Sequence, residues 1–384
     1  MHERTDGHGV PANAADEEGG ARERAGHSDL LEKRYRRVLR LLPVSYRAER
    51  EEEMVDAFME GSGGLTDADD PRPRWPEVAS VAALAVRVRL GGVGATPRHV
   101  VWGEAVRLAA VMGLAFQAMI SCTWPVYLLI ARGFPGAMSA EYHSFFENLS
   151  ISQLLDFTGL LWIGAFVVLV RGRVRAAKVL ACLALVLHLG PHALREGLFG
   201  PGGGFLLTYS LMYVVPVLAL LAGFHRDAPP PRAARWVIVL FFGGGLSLHL
   251  ALTLMTMTSV ADPEALAWAW SWTSATGMAC LAFLLAGATV LGGRPWMPDG
   301  WRSPALPLAL AMLAVPVAAV LANELTFDLN HDPADQASRL MTSTTAAQLA
   351  AVVLCGLVLT VAAVRSMPAP APATPIADPP AGAH

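Results

Sequence analysis

The chain has 384 residues, of which 54% are hydrophobic and only 16% charged, with a formal net charge of −3. Water-facing surface normally demands about a quarter charged residues, so this composition excludes a soluble globular protein of this length and makes lipid the solvent for most of the chain. The near-balance of charge also excludes the basic excess of a direct nucleic-acid binder.

Residues 1–27 are rich in Gly, Ala, Glu, Arg and His without an apolar run, and read as a disordered leader lacking a signal peptide. The first span is therefore expected to direct insertion itself. From Ser28 the pattern turns helical, with Leu31, Tyr35, Val38 or Leu39, and Leu42 recurring every three to four residues among Lys33, Arg34, Arg36, Arg37 and Arg40. Pro43 ends that helix. Ser45 is the expected N-cap of a second, whose apolar face is Met54, Val55, Phe58 and Met59 and whose solvated face is Glu49, Glu51, Glu52, Glu53 and Asp56, with Gly61 closing it. A third is expected from Pro76 to Leu90, with Val78, Val81, Ala85 and Val88 on one side. Three short amphipathic helices can bury one another's stripes as a small bundle, and a basic first helix beside an acidic second favours antiparallel pairing.

The runs Arg34-Tyr-Arg-Arg-Val-Leu-Arg-Leu-Leu-Pro43, Tyr46-Arg-Ala-Glu-Arg-Glu-Glu-Glu-Met54, Trp75-Pro-Glu-Val78 and Val86-Arg-Val-Arg-Leu-Gly91 resemble the helical prefix of many uncharacterised actinobacterial multipass membrane proteins. That prefix is similar to the HTH-associated alpha-helical signalling domain, or permease prefix domain, often found with PadR-type transcription regulators. The resemblance covers Asp29 to Gly91. It implies a cytoplasmic module, residues 28–91, that engages a PadR-like or sigma-factor-type regulator. It supplies no catalytic residue. Specific recognition needs apolar anchors that the bundle leaves partly uncovered, and Tyr35, Leu39, Tyr46 and Phe58 are the candidates.

Residues 92–105 read as a juxtamembrane linker and 106–365 as a transmembrane domain. A span needs about 20 apolar residues. Charge-free stretches run from Leu108 to Ala131, Leu198 to Phe224, Trp236 to Ala261, Ala265 to Gly293, Ser303 to Asn323 and Leu340 to Val364. Phe157 to Val170 reaches full length with Asp156 at its edge, and Val179 to Leu194 with Lys178 snorkelling. The expectation is an all-α, polytopic protein of eight transmembrane helices. With the N-terminus inside, Arg171, Arg173, Arg175, Lys178, Arg226, Arg232, Arg235, Arg294, Arg302 and Arg365 fall on cytoplasmic connections, and only Arg132, Arg195 and Arg339 fall outside. Arg87, Arg89, Arg98 and Arg107 guard the entrance to the first span. The positive-inside rule thus supports a cell-membrane protein with both termini cytoplasmic. Glu141, Glu147, Asp262, Glu264, Glu324, Asp328, Asp332 and Asp335 are assigned outside.

Trp124, Tyr127, Trp236, Trp268, Trp270, Trp272, Trp296 and Trp301 lie near span ends as interfacial anchors. Gly243 to Gly245 and the prolines Pro125, Pro191, Pro216, Pro307 and Pro316 read as packing features. Cys122, Cys182, Cys280 and Cys355 each fall in a different apolar stretch, as small packing residues. The Pro- and Ala-rich tail, 366–384, is expected to be disordered.

His188 and His192, four apart on one helical face, together with His249, Gln117, Gln348 and Asn323, are the intramembrane polar candidates. Without a neighbouring carboxylate, the histidines read as satisfied or interfacial, and neither metal nor other cofactor is expected. Asp328-Leu-Asn-His-Asp332 begins like a calcium loop, but Pro333 and Arg339 replace the turn glycine and the bidentate glutamate. Every carboxylate is read as lying at or beyond a membrane boundary, which disfavours ion-coupled transport. No phosphate-binding loop, zincin helix or nucleophile turn occurs, so an enzyme is not expected. Two functions stand: a membrane-anchored signalling or interaction protein, and a transporter or permease for a neutral or lipid-like solute.

Overall fold

The computed structural model describes residues 30–61, 72–122, 158–196, 203–225, 243–258, 263–293, 303–330 and 336–368, and among them the secondary structure is helical, without a strand. The leader, the segment bearing Glu141 and Glu147, the segment bearing Arg226 to Arg235, the Trp296–Trp301 segment and most of the tail lie outside the described residues. The chain divides into two compact units, one comprising residues up to Arg89 together with Val93–Thr96, the other Leu90–Gly92 and Pro97 onward.

The first unit is built from α1 (30–39), α2 (Val44–Gly61) and α3 (Trp75–Arg89). A turn through Leu42, whose N–H donates to the Leu39 carbonyl, leads to Pro43, and Pro43 itself accepts the Arg47 N–H. The entry to α2 is therefore Pro43, two residues earlier than a Ser45 cap implies. Glu77 reaches back to the Arg74 N–H at 2.9 Å, a carboxylate cap on the first turn of α3. Tyr35, Leu39, Leu42, Val55, Val81 and Ala85 form the core of the unit, with Val38, Tyr46, Met54, Phe58, Met59 and Leu84 packed on it. On the outside, the Arg36 guanidinium of α1 grips the Glu52 carboxylate of α2 through two bonds of 2.9 and 2.8 Å, and also takes Glu32 at 2.8 Å.

The second unit begins with α4 (Pro97–Ser121). Proline is favoured in the first turn, where its missing N–H has no partner to lose. The stretch read as a linker is accordingly helical from Pro97. There follow α5 (Gly159–Val170), α6 (Val174–Glu196), α7 (Gly203–Gly223), α8 (Gly245–Thr258), α9 (Pro263–Thr273), α10 (Ala275–Gly293), α11 (Ala305–Asn330) and α12 (Gln336–Arg365). The central helix is α4, buried continuously from Arg107 to Met119 and packed against α5, α7 and α11, while α12 lies on α9, α10 and α11. The α5–α6 turn closes with the Gly172 and Arg173 N–H groups on the Leu169 and Val168 carbonyls, and Gly172 supplies the positive φ of 78° that this cap requires.

Four described helices are long and apolar enough to cross a membrane: Pro97–Ser121, Ala275–Gly293, Ala305–Leu329 and Gln336–Arg365. Gly159–Val170 and Leu207–Gly223 are shorter apolar helices. The stretch read as one span from Ala265 to Gly293 is broken: Ser274 separates α9 from α10, its hydroxyl capping the Gly277 N–H at 3.1 Å. A Cβ on Gly277 would stand 2.1 Å from the Ser271 carbonyl oxygen, so the break depends on a bare backbone there. The stretch expected to end at Asn323 instead continues helically to Asn330 and carries Glu324 and Asp328 with it. Lys178 donates to the Leu221 carbonyl in the last turn of α7 at 2.9 Å, a cation at the negative end of a helix.

Candidate functional site

Of the four residues expected to anchor a partner, Tyr35 and Leu39 belong to the core of the first unit and Tyr46 and Phe58 pack on it. Leu39 is 0% exposed and Tyr35 is 7% exposed, while Tyr46 and Phe58 are partly buried against them. Tyr35 and Phe58 stack with ring centroids 3.9 Å apart, and Tyr46 lies under Arg50 and against Gly94. Burial, and secondarily the charge of Glu77, raises the Tyr35 phenol above its ordinary value. Tyr35 and Leu39 cannot meet another protein without unfolding the bundle. The apolar surface left to solvent is carried instead by Leu41, Val44, Trp75, Val86 and Val93, of which Trp75 is 85% exposed. Helical periodicity could have found this, because Trp75 stands off the stripe of Val81, Ala85 and Val88, and Leu41 and Val44 flank Pro43.

In the second unit the polar candidates divide. Gln117 donates from Nε2 to the Met212 carbonyl at 2.9 Å. Met212 precedes Pro216 by four residues, so its carbonyl is the one that Pro216, lacking an N–H, leaves without a helical donor. Gly113, one turn before Gln117, provides the matching space: a Cβ there would stand 2.4 Å from the Pro216 ring. Gln348 does the equivalent at the α9–α10 break, donating to the Ser271 carbonyl at 2.9 Å. Both glutamines thus complete backbone irregularities.

His188 packs its ring on Tyr213 at 4.3 Å, and Tyr213 in turn meets Tyr209 and Trp162. His249 is buried on α8, and the side chain of His192 lies outside those described. Among the described residues no three His, Cys, Asp or Glu side chains gather as a metal site. The Asp328–Asp332 motif falls partly outside the described residues.

Three features escaped sequence reading. Glu324, assigned to a loop, is a part-buried carboxylate on α11 that accepts the Thr276 hydroxyl at 2.7 Å across to α10. A carboxylate thus sits near the C-terminal end of a membrane-length helix instead of in a connection, because α11 outlasts the apolar run. Arg107, read as an interfacial guard, is buried at 4% exposure. Finally, a partly open cavity of about 50 Å³ lies among α4, α7, α10 and α11, lined by Met112, Phe116, Pro216, Phe283, Leu313 and Pro316 among others. Its two prolines were the sequence signal, since they interrupt neighbouring helices, but which helices adjoin is a tertiary fact.

Comparison of the chain with protein-family models, curated proteins and solved structures finds no match.

Proposed function

We propose that this is a membrane-anchored signalling or interaction protein whose N-terminal helical module engages a cytoplasmic transcription regulator of the PadR-like or sigma-factor type. The observation that carries the reading is the self-contained core of α1–α3, a packed unit with its own charge pairs and with Trp75 and Val44 left exposed. The regulator class rests on the resemblance of residues 29–91 to the permease prefix. Eight spans with both termini cytoplasmic belong to the same proposal, supported by the alternation of loop arginines. Cysteine labelling should place residues 173 and 232 inside and 147 and 332 outside. Labelling of residue 147 from the cytoplasm overturns that topology. The interaction is tested by co-purification of the full-length chain with the regulator encoded beside it, comparing wild type with Trp75→Ala and Val44→Asp. Retention lost in these surface variants supports the module as the contact, and undiminished retention refutes it.

A second reading, a permease for a neutral or lipid-like solute, draws on the apolar cavity between Pro216 and Pro316. Transcription of the neighbouring genes unchanged on deletion of residues 28–91 would put that reading first.

A further inference from the structure

Arg107 presents an unusual problem in physical chemistry. The residue is buried, its Nη1 is a buried atom without a hydrogen-bond partner, and α7 closes on its stem at Gly223, where a Cβ would stand 3.2 Å from Arg107 Cγ. The nearest anion, Glu104, is engaged elsewhere: it accepts the Ser303 hydroxyl at 3.3 Å, at the N-terminal end of α11, where Ser303 in turn caps the Ala305 N–H. No ion pair joins Glu104 to Arg107 among the described residues. An arginine stays charged at any physiological pH, and a buried guanidinium N–H without an acceptor is unfavourable. The site calls for an oxyanion with several acceptor oxygens.

The same three helices that surround Arg107 and Glu104 also line the apolar cavity. On α4 its lining residues Met112, Gly113 and Phe116 stand five to nine residues beyond Arg107, about 8–14 Å deeper along the helix. On α7 Pro216 precedes Gly223, and on α11 Leu310 and Leu313 follow Ser303, so all three run from one end of the bundle into the cavity. Pro216 would have turned a bare carbonyl toward this region, but Gln117 takes it, which leaves the lining apolar. Each headgroup layer of a bilayer is about 5–8 Å thick, the difference between the full and hydrocarbon thicknesses shared between two faces. A phosphate at Arg107 therefore puts the first part of an acyl chain at the depth of the cavity.

We propose that Arg107 and this cavity form one site for an anionic phospholipid, the phosphate held by the guanidinium and an acyl chain held between Phe116, Pro216, Phe283 and Leu313. The site rests on the proposed topology, with α4 crossing the membrane and its Arg107 end at the cytoplasmic leaflet, and is independent of whether the protein signals or transports. Arginine matches a phosphate through two parallel N–H···O bonds, and the leaflet beside a positive-inside boundary is the one rich in anionic lipid.

The test uses the full-length chain in detergent micelles, with phosphatidylglycerol retention read by mass spectrometry of the intact complex. Arg107→Gln should weaken binding of dipalmitoyl phosphatidylglycerol by about tenfold or more, and Arg107→Lys, which keeps the charge without the fork, should fall between. Ala282→Phe, which fills the cavity from α10, should weaken the dipalmitoyl lipid and leave glycerol 3-phosphate, which carries the phosphate without an acyl chain, unchanged. Equal binding by wild type and Arg107→Gln overturns the proposal. So does equal thermal protection by inorganic phosphate, which would make this an anion site without a lipid. Should Arg107→Gln fail to fold, Ala282→Phe decides alone: lost preference for the acylated ligand over glycerol 3-phosphate supports the site, and an unaltered preference refutes it.

Discussion

The first and second units of this chain treat polar groups in opposite ways. In α1–α3 the charges stand outside, where Arg36 bridges Glu32 and Glu52 in water, and the interior is Leu39, Tyr35, Val55 and Val81. In α4–α12 the outside includes exposed Val179, Val186, Leu218, Val315 and Leu354, while Gln117, Gln348, Thr276 and Arg107 are inside. Apolar burial cannot hold the second unit together, because lipid tails are as apolar as leucine and nothing is gained by leaving them. What the two interior glutamines share is a backbone obligation. Gln117 and Gln348 each meet a carbonyl exposed where a helix is interrupted, which lipid would leave unsatisfied.

If that contrast is right, deleting core volume should matter most in the first unit. Leu39→Ala removes a side chain with 0% exposure and should cost about 2–5 kcal/mol. A bundle of this size has a total stability of only about 5 kcal/mol, so the substitution should largely unfold it. Hydrogen exchange on the full-length protein should show α1–α3 losing protection while α4, α10, α11 and α12 keep theirs. Protection unchanged in α1–α3 would mean that something other than this core holds the module.

The second unit should be more sensitive to a lost hydrogen bond than to lost area. Gln117→Leu keeps the bulk and leaves the Met212 carbonyl unpaired, at a cost of about 1 kcal/mol. Pro216→Ala restores the N–H that reaches that carbonyl within α7. In the Pro216→Ala background, Gln117→Leu should then cost little, a coupling of about 1 kcal/mol in a double-mutant cycle read by thermal melting in detergent. Costs that simply add would break the link between the glutamine and the proline.

Much of this architecture is written in local patterns. Pro43 separates α1 from α2, Gly61 closes α2, and the described parts of the apolar runs are largely helical, because each depends on neighbours within a few residues. The breaks that escaped are of another kind. Ser271 to Gly277 reads as one more stretch without charge, and only the approach of Gly277 to the Ser271 carbonyl, with Gln348 arriving from α12, makes it a corner. Glu324 was misplaced because a charge was taken as the end of a span, whereas Thr276 on α10 gives its carboxylate a donor and the helix runs on. Tyr35 and Leu39 looked available because a lone amphipathic stripe does not say which of its members the partner helices cover. Gln117 and Gln348 were found as polar outliers, but their partners lie on other helices and no spacing in the chain records them.

The smallest effect expected is electrostatic, and it should be confined to the first unit. Hydrogen bonding to Arg36, then its charge, holds the Glu52 carboxyl below its ordinary value, and the same contacts raise the already high value of Arg36. Arg36 is therefore protonated throughout and only Glu52 titrates. Because its folded value lies below the unfolded one, the pair stabilises fully above the unfolded carboxylate range, about pH 4.3, and is lost as pH falls through the lower folded value. Both side chains face water, so the contribution is small and screened by salt. Glu52→Gln should leave the fold intact, lower the stability of α1–α3 slightly at neutral pH, and reduce the steepness of its loss on acidification. The comparison is made by circular dichroism of the full-length protein from neutral to acid pH, at low and high salt. Wild type and variant should converge at the acid end and in high salt, since protonation and screening each erase the same interaction. A difference that persists in strong acid would show that Glu52 acts through packing, and the contrast between a water-facing shell of charges and a lipid-facing shell of valine and leucine would lose its electrostatic half.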